Sequence, residues 1–332
     1  MTTQGSPVLV TGATGRVGSR LVDTLLDQGR PVRAVVLPED PGRAALPEAV
    51  EAIEGSLTDP AVVAEAVDGV GAAVHLAATM DWGPGANDRL FEANVRATYL
   101  LFEALAGRDS AIGRGRAIER VVLASSDEVY PALQVGEPIA EERPLAPYSF
   151  YGLTKELDER LAAYYHRTGL AVTVARFSLV AAAEEITHPD GWSGRLFFGS
   201  GLRTLLTGLG RTEAVAALDA QVPDQESCLV LARDEQDRPY RFQFCDVRDL
   251  VHGLDCLLRE PAVVGETVNL SGPTAFGYDE VVPELAERIG VRYREIRLPG
   301  PRFDVEIETA KAVRLAGYRP RYDVRTIIDQ LN

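Results

Sequence analysis

The sequence is poor in the residues that build disulfide frameworks, metal centres and membrane spans. Among 332 residues there are three cysteines, Cys228, Cys245 and Cys256, at no CxxC spacing. They read as buried or idle thiols in a reducing compartment, not as a scaffold. The four histidines, His75, His166, His188 and His252, share no metal-ligand spacing, so no metal is expected. No apolar run approaches the roughly 20 residues a membrane helix needs. The first strand is reached by Val8, too early for a secretory signal to precede it. A cytoplasmic protein without membrane partners is expected. Positive charge is also scarce, with 34 lysines and arginines against 49 acids and a net charge of -15. That field repels nucleic acid, and no nucleic-acid partner is expected. A dinucleotide is still admissible, because backbone N–H groups and a helix dipole hold its phosphates locally.

What the chain does have is alternation. Short apolar strands are expected at 7–11, 32–37, 49–54, 72–76 and 120–125, with helices at 15–28, 60–67 and 87–107 between them. A further helix at 151–168, closed by Gly169, feeds a strand at 171–180. Continuous apolar strands joined by helices mean a parallel sheet covered on both faces, and right-handed crossovers make it doubly wound. From Ala181 to about Arg241 the pattern loosens into a stretch rich in Gly, Asp and Glu. A helix at 247–258 and a strand at 267–270 restore it, and the tail mixes helix and short strand. The expected fold class is α/β: a doubly wound parallel Rossmann sheet with a smaller, interleaved C-terminal substrate lobe. The division is 1–180 plus 244–271 for the dinucleotide-binding domain, and 181–243 plus 272–332 for the substrate lobe.

The segment VLVTGATGRVGSRLVDTL sets Gly12, Gly15 and Gly18 between a strand and a helix. Gly12 permits the tight turn, Gly15 lets backbone approach a pyrophosphate, and Gly18 lets the helix pack on the strand. Thr14, Arg16 and Val17 share that turn. A nicotinamide dinucleotide, NAD or NADP, is therefore expected. The end of the second strand does not choose between them. Val36 is followed by Leu37, so neither an acid for the ribose hydroxyls nor an arginine for a 2′-phosphate is present. Arg16, Arg33 and Arg43 read equally well as phosphate partners and as solvated surface residues.

Two later segments carry chemistry. VVLASSDEVY ends a strand in hydroxyls and carboxylates, and YGLTK opens the next helix. Tyr151 and Lys155 are four apart and share a helix face. A nearby ammonium is expected to lower the phenol's pKa, giving a proton donor and acceptor near neutrality, with Ser126 holding the reacting oxygen against it.

On these residues the sequence resembles the extended short-chain dehydrogenase/reductase family, the NAD-dependent epimerase/dehydratase group. The matching runs are TGATGRVG (Thr11–Gly18), GSLTD (Gly55–Asp59), VHLAA (Val74–Ala78), SSDEVY (Ser125–Tyr130) and YGLTK (Tyr151–Lys155). Asn94, NLSG (Asn269–Gly272) and KAVRLAGYRPRY (Lys311–Tyr322) complete the set. The resemblance implies that Ser56 and Leu57 flank the adenine and that Leu76, Ala77 and Ala78 line the cofactor. It adds Val36, Asn94, Phe177 and Ser178 to the cofactor set. It implies a catalytic group of Ser126, Tyr151 and Lys155, and a homodimer formed through the helices at 87–107 and 151–168. Within the family, the run Ser126-Asp127-Glu128-Val129-Tyr130 is most similar to the Thr-Asp-Glu-Val-Tyr run of dTDP-glucose 4,6-dehydratases. By that correspondence Glu128 removes a proton from carbon and Asp127 protonates the departing hydroxyl. The alternative is that both acids cap the following turn or point to solvent.

Two positions depart from the family pattern. Leu179 stands where nucleotide-sugar members carry an asparagine, and Phe242 where they carry an arginine, both for the substrate diphosphate. Charge-assisted hydrogen bonds are then unmade, which points to a small-molecule substrate that is smaller or uncharged, such as a nucleoside, free glycoside or polyol. Trp192, Arg195, Phe197 and Phe198 either line the substrate pocket or pack their own lobe, and Trp82 poses the same choice. The leading expectation is a redox-neutral dehydratase that oxidises, eliminates and returns the hydride. The alternatives are an epimerase working through a transient ketone, an NADPH-dependent carbonyl reductase, and a nucleotide sensor without chemistry.

Overall fold

The computed structural model describes residues 5–81, 83, 85–107, 118–131 and 136–331. The expected apolar runs form β1 (Val8–Thr11), β2 (Val32–Val36), β3 (Val50–Glu54), β4 (Ala72–His75), β5 (Arg120–Ser126) and β6 (Val172–Phe177). With β7 (Thr267–Leu270) they make one parallel sheet in the order β7-β6-β5-β4-β1-β2-β3. Val10 of β1 lies between Ala34 of β2 and Val74 of β4. The order reverses between β1 and β4, and a crevice opens at the carboxyl ends of these strands. One sheet face packs Val10, Val74 and Leu25 with the helix Val247–Arg259. The other packs Leu9, Leu123, Phe102 and Tyr165. Both faces are therefore dry, which is why the strands read as continuous apolar runs.

Two expected elements are subdivided. The strand expected at 171–180 breaks at buried Ser178, whose N–H reaches Leu270 O at 3.1 Å and whose Oγ accepts from Ser271 at 2.8 Å. Beyond it Leu179–Ala181 leaves the main sheet and pairs with Phe244–Asp246. The helix expected at 87–107 runs as Asn87–Leu90, a π-helical segment Phe91–Arg96, and Ala97–Leu105. Such segments aim side chains that a regular helix would misplace. Here the aimed residue is Asn94. Its carboxamide accepts from Thr79 N at 2.8 Å and donates to Thr79 O and Thr154 Oγ1, both at 3.0 Å.

The stretch from 181 to 241 is far more regular than its composition indicates. It contains helices Gly199–Gly208 and Thr212–Gln221 and the strand Leu229–Arg233, which pairs in parallel with Tyr293–Arg297. Leu202, Leu206, Leu218 and Val222 recur at helical spacing and bury against Phe197, Tyr240 and Tyr278. Tertiary burial organises this segment, where glycines and acids obscure the local periodicity. Among the described residues, no helix is long and apolar enough to cross a membrane, and no group of His, Cys, Asp and Glu could hold a metal.

Candidate active site

A cavity of about 680 Å³ occupies the crevice at β1 and β4. Its floor is the glycine turn. Gly12 has φ +69°, and a Cβ there would stand 2.9 Å from Ala77 N. At Gly18 a Cβ would stand 2.0 Å from Gly12 O, so the helix can close on the strand only without a side chain. Gly15 starts the helix Arg16–Asp27 with no side-chain cap and no acid in the first turn. The first turn of that helix, whose N–H groups have no intrahelical acceptor, lines the cavity through Arg16, Val17 and Gly18, the arrangement an anion requires. Thr14, Arg16 and Val17 line the cavity beside the glycines, as do Ser56, Leu57, Leu76, Ala77, Ala78, Phe177 and Ser178. A glycine cradle that a Cβ would fill, joined to an uncapped helix start, fits the pyrophosphate of a dinucleotide.

Two expected cofactor residues are off this surface. Val36 points into the core and is replaced on the wall by Val35 and Leu37, because alternate residues of a strand face opposite ways. Asn94 is fully buried and instead clips the backbone of Thr79, which does line the cavity. An acid does reach this wall from the loop after the second strand. Asp40 lines the cavity, accepting from Thr14 Oγ1 at 2.6 Å and from Gly42 N at 2.8 Å. The candidate arginines are engaged elsewhere. Arg33 pairs with Glu51, Arg43 with Glu54, and Arg16 with Glu185 and with Val180 O at 3.1 Å.

Ser126, Asp127, Glu128, Tyr151 and Lys155 all line the same cavity. β5 delivers Ser126, which caps a short turn at Asp127–Val129 by accepting from Glu128 N at 3.2 Å and donates to Asp127 Oδ1 at 3.3 Å. Tyr151 arrives on the helix Phe150–Arg167, capped by Ser149, whose hydroxyl also donates to Glu128. A Cβ on Gly152 would stand 2.4 Å from Glu128 O. The glycine of YGLTK thus lets helix and acid turn touch. Lys155 Nζ donates to Ala124 O at 3.1 Å, lies 3.5 Å from Asp158 Oδ2, and is 5.9 Å from the centre of the Tyr151 ring. It is one of two lysines in the chain, against 32 arginines, a compositional signal that sequence reading passed over.

The electrostatics correct one expectation. The Tyr151 phenol is not lowered. Burial pushes it well above its ordinary value, as do Glu128, Asp127 and Asp158, against the opposing bond to Ser126. Asp127 is pushed up to about 7 by burial and then by Glu128. Asp158 is raised to about 6 by burial, opposed by Lys155. Beneath them His75 is held down to about 3 by burial and by Lys155, bonded to Thr11 Oγ1 at 2.7 Å and Thr98 Oγ1 at 3.0 Å.

A second cavity, about 620 Å³, meets the first at Asp127, Glu128, Leu179 and Arg195. Leu179 and Phe242, the two departures from the family pattern, both form its wall. Trp192 and Arg195 face the first cavity, with the Arg195 guanidinium 3.6 Å from the indole centre. Phe197 and Phe198 do not; they are buried in the core of their lobe. Trp82 lies outside the described residues.

Comparison with known proteins agrees with this geometry. The model of the NAD dependent epimerase/dehydratase family matches residues 8–271. A 3 beta-hydroxysteroid dehydrogenase/Delta 5-->4-isomerase of Mycobacterium tuberculosis is 27% identical over 321 residues, covering 91% of this chain and 74% of that protein. A dTDP-glucose 4,6-dehydratase of Streptomyces antibioticus is 32% identical over 191 residues, 52% of each chain. A solved short-chain dehydrogenase/reductase superfamily protein from Agrobacterium tumefaciens, with bound NAD, superposes with a TM-score of 0.84 at 31% identity, covering 98% of this chain and 95% of that one. A glycine turn feeding one cavity that holds serine, tyrosine and lysine, on a seven-stranded parallel sheet, makes this chain an NAD-dependent enzyme of the epimerase/dehydratase family.

Proposed function

We propose that the protein is a redox-neutral dehydratase acting on a hydroxylated ring, a sugar, nucleoside or related polyol. The observation that carries this reading is the position of Asp127 and Glu128, side by side on the seam of the two cavities, with the Asp127 carboxyl poised near neutrality. A nicotinamide dinucleotide bound in the first cavity supplies reversible storage of one hydride. Ser126 orients the substrate oxygen by hydrogen bonding, and Tyr151 would accept that oxygen's proton as a phenolate, a form its acid neighbours disfavour and which the positive charges of Lys155 and of an oxidised nicotinamide ring would have to restore. At the ketone level the neighbouring C–H is acidified. Glu128 accepts that proton, and neutral Asp127 donates to the departing hydroxyl. An epimerase or simple dehydrogenase needs no such pair.

Asp40 supports NAD over NADP, since a 2′-phosphate beside its carboxylate would meet like charge. A homodimer is supported by the exposed Phe91, Tyr99, Leu153 and Tyr164 on the helices at 87–105 and 150–167. The unpaired, buried thiols fit a cytoplasmic setting. A second reading, net oxidation of a ring alcohol, is favoured by the steroid dehydrogenase likeness across most of the chain. Turnover with catalytic NAD alone supports the dehydratase. A stoichiometric requirement for added NAD, with reduced cofactor accumulating, overturns it in favour of the second reading.

A further inference from the structure

The second cavity is built against the ligand that a nucleotide-sugar enzyme would hold there. Leu179, Leu205, Leu209, Phe242, Phe303 and Val305 form its walls. Its ionisable acids among the described residues are Asp81, Glu128 and Asp190, with Asp127 poised near neutrality, against one guanidinium, Arg195. That guanidinium sits on the seam over Trp192, with Glu128 and Tyr148 as charged and phenolic neighbours, and not deep in the chamber. Arg241, beside Phe242 in sequence, does not line the chamber and is bound to Asp304 Oδ1 at 2.8 Å and Glu306 Oε2 at 3.1 Å. Gln243 is likewise committed, donating to Gly272 O at 2.6 Å and accepting from Ile307 N at 2.7 Å.

A diphosphate taken out of water needs several charge-assisted donors. Here it would meet phenyl rings, leucines and an excess of carboxylate. The same walls suit a neutral body that gains by leaving water. We infer that this chamber binds an uncharged substrate whose body beyond the reacting ring is apolar, and that it excludes nucleoside diphosphate sugars. The inference rests on the proposed dehydratase reading only in placing the reacting carbon at the seam formed by Asp127 and Glu128. A free glycoside with an apolar aglycone and a polycyclic alcohol share the required chemistry.

Calorimetric titration of the NAD-saturated protein tests this without turnover. dTDP-glucose and UDP-glucose serve as charged probes, with phenyl β-glucoside and a monohydroxy steroid as neutral ones. At least one neutral probe is expected to bind ten-fold or more tighter than either sugar nucleotide. Leu205→Glu is expected to weaken it at least ten-fold. The double change Leu179→Asn with Phe242→Arg is expected to invert the ranking, with circular dichroism verifying the fold. Tighter binding of a sugar nucleotide than of both neutral probes to the unaltered protein overturns the inference, and so does failure of both neutral probes to bind. If the double variant does not fold, the ranking on the unaltered protein decides alone. Asp127→Asn separates the two proposals: loss of elimination bears on the reaction, whereas the probe ranking bears on the chamber.

Discussion

The two cavities that meet at Asp127 and Glu128 are made of different material. The first has a floor of main chain: a glycine turn and an uncapped helix start at the carboxyl ends of adjacent parallel strands. The second is built from side chains contributed by segments as distant as Asp81, Leu205 and Val305. A backbone-built floor tolerates few substitutions, because Gly12 and Gly18 are hemmed in by main-chain atoms that cannot move aside. A side-chain-built site can change its ligand by changing two or three residues while the fold stays put. The difference teaches where this molecule keeps its chemistry and where it keeps its selectivity.

The sharpest way to break that comparison is to place one methyl group in the first cavity's floor. Gly18→Ala puts a Cβ 2.0 Å from Gly12 O, with Ala13 Cα at 2.8 Å. No side chain can yield, so dinucleotide binding is expected to be lost outright, with a fall in melting temperature. A calorimetric titration with NAD checks it. The matching single change in the second cavity, Leu209→Ala, should leave NAD affinity unaltered. Retention of NAD binding by Gly18→Ala would mean that the turn is not the cradle.

Tyr151→Phe comes next. It keeps ring packing and removes only the proton-carrying oxygen, so turnover is expected to fall about 10²- to 10⁴-fold with NAD affinity retained. Asp127→Asn is expected to fall less, about 10²-fold, and to accumulate the undehydrated ketone with the hydride retained as reduced cofactor. It also has a pH signature. The folded-state carboxyl is raised to about 7, so the neutral donor is present below that value and lost as pH rises through it. Dehydration by the unaltered enzyme should therefore decline above about pH 7, and the asparagine variant should lack that limb. A pH–rate profile flat across this range would remove Asp127 from the proton donor's role.

The same contrast explains what could be read before any coordinates. Apolar runs buried on both faces announce themselves, and the strands at 8–11, 50–54 and 267–270 stand within a residue of expectation. Gly12, Gly15, Gly18, Ser126, Tyr151 and Lys155 come together because short motifs on neighbouring strand ends must converge in a parallel sheet. Asp40 was not legible because it lies four residues past the strand, on a loop at 37–40 that folds back so that its carboxylate meets Thr14. The direction of the Tyr151 shift was missed because spacing reveals Lys155 but hides how deeply Glu128, Asp127 and Asp158 share the phenol's surroundings. The helices within 181–241 were obscured because their periodicity is spread among glycines and acids. They bury into a core that holds Phe197, Tyr240 and Tyr278, partners that local periodicity does not reveal.

The smallest effect is one of acid on the fold beneath the first cavity. His75 lies under the first cavity, fully buried on β4 between Thr11 and Thr98, and its folded-state pKa is lowered to about 3. An unfolded histidine titrates near 6.5. The unfolded chain therefore binds a proton that the folded chain refuses between those values. Stability from this group is complete above about pH 6.5 and is lost as pH falls toward 3, at no more than about 1.4 kcal/mol per pH unit. In His75→Gln the amide has both a donor and an acceptor for the threonine hydroxyls but no titration in this window. Urea unfolding at a series of pH values should show a shallower decline from pH 6.5 to 4 for the variant than for the parent chain. Folded His75 stays neutral across this window, so its bond to Thr11 persists, and the Thr11 hydroxyl keeps accepting from Leu76 N and Ala77 N on the cavity wall. NAD affinity of the folded protein should therefore hold from pH 6.5 to 4 while the unfolding free energy declines. Parallel slopes for His75→Gln and the parent chain would show that the buried imidazole does not carry the acid sensitivity.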